Sequence, residues 1–176
     1  MENRMIFITG GCRSGKSRFA LDYANRHFSK KLYLATAEVL DGEMAHRVAN
    51  HKRARGPEWQ TVEEPLRVVE KIREHGSRVE AILFDCMTLW LSNLLLRGDD
   101  ESKITEEVER LGNAIQETRA TLIVVTNEVG MGIVPVDPLG RRFRDLAGMA
   151  NQRMAALADA VIFMVSGIPM VLKGAV

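Results

Sequence analysis

Apolar residues in this 176-residue chain gather into short unbroken runs, set between longer stretches in which they recur every three or four positions. Runs at 5–9, 31–35, 60–63, 81–85, 122–126 and 160–165 predict strands. Most are apolar at consecutive rather than alternate positions, as in strands covered on both faces. Ile104, Val108, Leu111 and Ile115 keep a helical spacing, and Leu139, Phe143, Leu146, Ala150 and Met154 do much the same. Helices are also expected from Arg18 onward, over 66–74 and over 89–96. Alternation at this density implies an α/β domain of three layers, a mainly parallel sheet between helices. Residues 170–172, after the turn Gly167-Ile168-Pro169, would add a final strand, and so short a turn makes its pairing antiparallel.

Composition narrows this picture. The length fits a single domain over residues 1–176, with no repeat or linker to divide it. The 24 basic and 23 acidic residues nearly cancel, so no nucleic-acid partner is expected. The cysteines are Cys12 and Cys86 alone, which makes a disulfide framework unlikely and a cytoplasmic location the expectation. The chain enters its first strand almost at once, so no signal peptide is expected, and no apolar stretch is long enough to span a bilayer.

The chemistry begins with Gly10-Gly11-Cys12-Arg13-Ser14-Gly15-Lys16-Ser17. A strand precedes this segment and a helix follows it, the setting of a phosphate-binding P-loop. Backbone N–H groups of the turn and of the new helix converge on a phosphate. Lys16 brings positive charge to the β- and γ-phosphates of a nucleoside triphosphate, and the Ser17 hydroxyl is placed to ligate Mg²⁺. Asp85 ends an apolar strand, which suits a second magnesium contact but equally a residue that merely ends the strand. Asn127-Glu128 opens a segment through Gly130, Gly132 and Pro135 that reads as a shaped loop, either touching substrate or only turning the chain.

Between the second and third strands, Asp41-Gly42-Glu43-Met44 opens a helical pattern that Gly56-Pro57 ends. Met44, Val48 and His51 share one side, with Arg47 and Arg55 flanking His51, while His46, Asn50 and Arg53 lie opposite. The neighbouring cations disfavour imidazolium, so His51 is expected to be neutral and nucleophilic near pH 7. A structural histidine or a solvated basic face would show the same residues.

These residues bring the chain to a known family. It resembles the bifunctional adenosylcobinamide kinase/adenosylcobinamide-phosphate guanylyltransferases of cobalamin assembly, from Ile6 to about Lys173. The likeness is carried by the P-loop, Tyr33-Leu34-Ala35-Thr36-Ala37, Asp41-Gly42-Glu43-Met44 and Arg47 with His51 and Arg55. It continues through Trp59 to Pro65, Asp85 to Leu94, Thr126 to Pro135, Phe143 to Gly148 and Val165 to Pro169. Cys12 departs from the family, which usually has Ala there.

The resemblance implies two reactions. One phosphorylates the aminopropanol hydroxyl of adenosylcobinamide from ATP or GTP. The other transfers GMP from GTP to that phosphate through a guanylyl-histidine, which falls on His51. It implies catalytic roles for His51 and Lys16, and magnesium ligation by Ser17 and Asp85. Nucleotide contacts are implied for Gly10, Gly11, Cys12, Arg13, Ser14, Gly15, Lys16, Ser17, Ala35, Thr36, Ala37, His51, Lys52, Arg55, Glu63 and Asp85. A homotrimer is implied, with the corrinoid partly on the 127–135 loop. The residues alone would favour a simple small-molecule kinase first and a guanylyltransferase second, with a nucleic-acid motor and a nucleotide sensor as the other classes.

Overall fold

A computed structural model describes residues 4–38 and 56–175. The helix expected between Asp41 and Arg55, with Arg47, His51, Lys52 and Arg55 on it, lies outside the described residues. The elements in chain order are β1 (Met5–Gly10), α1 (Lys16–His27), β2 (Lys31–Ala35), β3 (Trp59–Glu63), α2 (Val68–His75) and β4 (Ala81–Asp85). They continue with α3 (Met87–Leu96), α4 (Glu101–Glu117), β5 (Thr121–Val125), α5 (Pro138–Leu157), β6 (Ala160–Val165) and β7 (Ile168–Lys173).

The strands form one seven-stranded sheet in the order β3-β2-β4-β5-β1-β6-β7. All neighbours pair in parallel except β6 and β7. The chain therefore leaves β1, crosses over α1 to β2, and later returns to insert β4 and β5 between them. This crossing sets the carboxyl ends of β4, β5 and β1 side by side in the middle of the sheet, and open α/β sheets bind ligands outside such ends.

Burial explains why these runs became strands. Every residue of β1 and β5 is buried, and their side chains alternate between two cores. Ile6 and Ile8 pack with Ala20, Leu21 and Ala24 of α1, while Phe7 packs with residues of α2 to α5. Trp90, fully buried, meets Phe84 edge-on and donates its indole N–H to the Leu66 carbonyl at 2.8 Å.

Several boundaries shift by one or two residues from the expectation, and three differences have a visible physical cause. Helix α2 starts at Val68 rather than 66, because the Glu64 carboxylate accepts the N–H groups of Leu66 and Arg67 at 3.2 and 3.0 Å and holds them in a turn. The last hairpin turns at Ser166 and Gly167, both with positive φ, so Ile168 and Pro169 already belong to β7. Pro169 is tolerated there because β7 is an edge strand. Leu139 keeps the helical spacing but is exposed. It sits in the first turn of α5, capped by Asp137 accepting from the Gly140 N–H, and the buried stripe begins only at Leu146.

Candidate active site

The P-loop is built on two glycines that no other residue would replace easily. Gly10 has φ 146°, and a Cβ there would lie 2.4 Å from the Met164 carbonyl oxygen on β6. Gly15 has φ 95° and caps α1 with no side-chain hydrogen bond, leaving the first helical N–H groups for a ligand. Ser14 N–H donates to the Gly11 carbonyl at 3.3 Å, and the Ser14 carbonyl accepts from Gly167 N–H at 2.9 Å. The β6–β7 hairpin thus braces the loop from outside.

Lys16 folds back over this turn. Its ammonium donates to the Gly11 carbonyl at 2.6 Å and lies 3.5 Å from the Ser14 hydroxyl. Burial lowers its pKa, against the opposing pull of Cys86, Cys12 and Asp85. Anionic phosphate oxygens would relieve that cost, which suits the residue to its expected partner. Ser17 is half-buried on the same helical turn, while Gly11, Cys12 and Arg13 are exposed at the tip.

Register lines up the next group. Ala35 pairs with Asp85 on one side and with Glu63 on the other, so all three end neighbouring strands in one row. Asp85 accepts the Tyr33 hydroxyl at 2.7 Å. Glu63 is exposed at the sheet edge, and Ala35 and Ala37 are half-buried. The Thr36 hydroxyl donates to the Cys86 carbonyl at 2.8 Å and accepts Cys86 N–H at 3.0 Å. Asn93 of α3 donates to the carbonyls of Thr36 and Pro65 at 2.9 and 3.0 Å. Thr36 therefore clasps the ends of β2 and β4. The buried Cys86 thiol is pushed up to about 12 by desolvation first and by Asp85 second.

Beyond β5, a second polar network fixes the next segment. Thr88 and Thr126 share a hydrogen bond at 3.0 Å, and Thr88 Oγ1 accepts Asn127 N–H at 2.7 Å. Thr126 donates to Asn151 Oδ1 at 2.9 Å, and Asn151 donates to the Asn127 carbonyl at 3.2 Å and to Glu128 at 3.4 Å. Arg144 holds the Gly130 carbonyl at 2.7 Å. The loop expected over 127–135 is present and lies beside the P-loop, since Glu128 N–H donates to the Gly10 carbonyl at 3.0 Å.

The donors suit magnesium. Ser17 and Asp85 offer hard oxygen ligands, and no group of three or more His, Cys, Asp or Glu that could hold a metal occurs among the described residues. A site supplied by one carboxylate, one hydroxyl and substrate phosphates is the arrangement Mg²⁺ takes with nucleotides.

A model of the protein family described as cobinamide kinase / cobinamide phosphate guanyltransferase matches residues 6–172. The chain belongs to that family. Cobinamide kinase / cobinamide phosphate guanyltransferase relatives span nearly its whole length. It is 43% identical over 167 residues to the bifunctional adenosylcobalamin biosynthesis protein CobP of Pseudomonas aeruginosa, covering 95% of this chain and 96% of that one. It is 42% identical over 181 residues to the bifunctional adenosylcobalamin biosynthesis protein CobU of Escherichia coli, covering 96% and 99%. Among solved structures, a KaiC-like protein from Pyrococcus horikoshii aligns with TM-score 0.51 at 17% identity, over 92% of this chain and 71% of that one. An ATPase from a type III secretion system aligns with TM-score 0.55 at 13% identity, over 92% of this chain and about half (51%) of that one. These last two share the P-loop fold with the family.

The structural roles of Tyr33, Thr88, Asn93, Arg144 and Asn151 emerge only from the fold. The signal was present for three of them: Thr88 and Asn93 interrupt the apolar run of α3, and Asn151 sits on the buried stripe of α5.

Proposed function

We propose that this chain phosphorylates adenosylcobinamide with a nucleoside triphosphate, then transfers GMP from GTP to the resulting phosphate, giving adenosylcobinamide-GDP. Family membership over nearly the whole chain supports the pair of reactions. The observation that carries the nucleotide site is Lys16, its ammonium buried within the P-loop on the Gly11 carbonyl.

In the first reaction the aminopropanol hydroxyl attacks the γ-phosphorus, and nucleoside diphosphate leaves. Lys16 and the N–H groups of Gly15 to Ser17 hold the phosphates in line. Ser17 and Asp85 would hold Mg²⁺, which neutralises charge on the phosphate oxygens when bound. In the second, a neutral nitrogen of His51 attacks the α-phosphorus of GTP, the N–P bond forms and pyrophosphate leaves. An oxygen of the cobinamide phosphate then attacks that phosphorus, and the N–P bond breaks. Lys16, Arg47 and Arg55 stabilise the developing charge, and Lys52 contacts the nucleotide. Ala35, Thr36, Ala37 and Glu63 line the nucleotide, with the Glu63 carboxylate accepting guanine N–H groups. The 127–135 loop takes part of the corrinoid, and the active form is a cytoplasmic homotrimer.

GTP labelled at the α-phosphate tests the covalent step. With Mg²⁺, the protein should acquire acid-labile, alkali-stable label that His51→Ala abolishes and His46→Ala retains. Label persisting in His51→Ala overturns the assignment.

A further inference from the structure

Phosphorylation requires some group to take the proton of the attacking hydroxyl, and none of the residues above does so. Lys16 is a cation, and Asp85 already accepts the Tyr33 hydroxyl and is assigned above to magnesium. Glu128 follows β5, the strand between β1 and β4. Its N–H bonds the Gly10 carbonyl at 3.0 Å, and the next carbonyl along, of Gly11, holds the Lys16 ammonium at 2.6 Å. The Glu128 backbone therefore rests on the first residue of the phosphate loop.

Its carboxylate is oriented by an amide, and among the described residues it forms no ion pair. Asn151, itself buried, donates to Glu128 Oε2 at 3.4 Å while bonding Thr126 and the Asn127 carbonyl. The neutral amide fixes the direction of the carboxylate through Oε2. Gly130 keeps the other oxygen uncrowded, because a Cβ there would come within 3.1 Å of Glu128 Oε1. On the same side of the sheet, Thr9 is buried and its hydroxyl has no protein partner among the described residues. Strand alternation from Phe7 turns Thr9 toward the α5 layer that holds Asn151. A buried hydroxyl without a partner at the root of a P-loop marks a place where a ligand or water completes the bonding.

We infer that Glu128 is the general base of the phosphorylation reaction. Its carboxylate takes the hydroxyl proton as that oxygen bonds the γ-phosphorus, while the bond from the γ-phosphorus to the β,γ-bridging oxygen breaks and nucleoside diphosphate departs. Glu128→Gln keeps the shape and an acceptor for Asn151 but cannot take the proton. This assignment rests on the kinase reading given above.

The test compares the full-length wild type, Glu128→Gln and Glu128→Asp, with adenosylcobinamide and ATP as substrates. Glu128→Gln should lose about 10²- to 10⁴-fold in kcat, with the KM for ATP within about threefold of wild type. The acid limb of the wild-type pH–rate profile should vanish, Glu128→Asp should recover part of the rate, and labelling by GTP should persist. A Glu128→Gln kcat within about threefold of wild type overturns the assignment. So does joint loss of kcat and GTP labelling, which would show a structural role. A wild type that consumes no ATP in response to adenosylcobinamide overturns the kinase reading itself, and this proposal with it.

Discussion

Lys16 illustrates how one side chain couples stability, protonation and ligand. Its ammonium is buried on a carbonyl with no carboxylate bonded to it among the described residues, and desolvation dominates, so its pKa falls below 10.5. Folding thus weakens its hold on the proton. Between the lowered value and 10.5 the unfolded chain binds more protons than the folded chain, so this residue's contribution to stability rises with pH through that window. Below the window the cost of the buried ammonium is fully present. Phosphate oxygens favour the ammonium, and binding should reverse the shift. Calorimetry in two buffers of different ionisation enthalpy, at a pH just beneath 10.5, is expected to show proton uptake on binding of a magnesium–nucleotide complex. Lys16→Gln should bind much more weakly and take up no proton. Proton release or no uptake in the wild type would reject the account.

At the scale of elements, the clasp at Thr36 does for β2 and β4 what the Gly10 approach to Met164 does for β1 and β6. Thr36→Val keeps the volume but removes the hydroxyl that serves both the N–H and the carbonyl of Cys86. Leaving these buried groups unpaired is expected to cost about 1–3 kcal/mol. Urea unfolding should show a lower midpoint with an unchanged slope, whereas an unchanged midpoint would mean that water replaces the clasp. The sequence carried much of this architecture, because runs such as 81–85 and 160–165 are apolar on both faces and match β4 and β6 in full. The P-loop was legible because its chemistry is continuous in the chain. The clasp and the Thr88–Thr126–Asn151 network were not. Their partners lie 50, 38 and 25 positions apart, and only the parallel register brings them together. Glu128 was visible as a residue of a shaped loop, but its approach to Gly10 depends on β5 inserting beside β1, which no local pattern specifies.

The whole molecule leaves an imbalance that a single chain does not resolve. All six residues of β7 are exposed, among them Ile168, Met170, Val171 and Leu172. A second apolar stretch, Met131, Ile133, Val134, Val136 and Leu139, stands out beyond β5. Exposed apolar patches of this kind often mark an interaction surface. A ring of three identical subunits needs two different, complementary patches on each. The proposed homotrimer can be built from these two, with β7 of one subunit lying over the 127–135 loop of the next. Sedimentation should then give three times the 19.7 kDa of one chain. Replacing Ile168 and Leu172 together with Glu should shift the protein toward 19.7 kDa, because burying unpaired carboxylates opposes the contact. The same variant should keep its affinity for nucleotide, since the P-loop lies within one chain, yet show a raised KM for adenosylcobinamide. A wild type sedimenting as a monomer would refute the trimer, and a variant that stays trimeric would move the interface away from β7. A trimer that dissociates without any change in that KM would leave each corrinoid site contained in its own subunit.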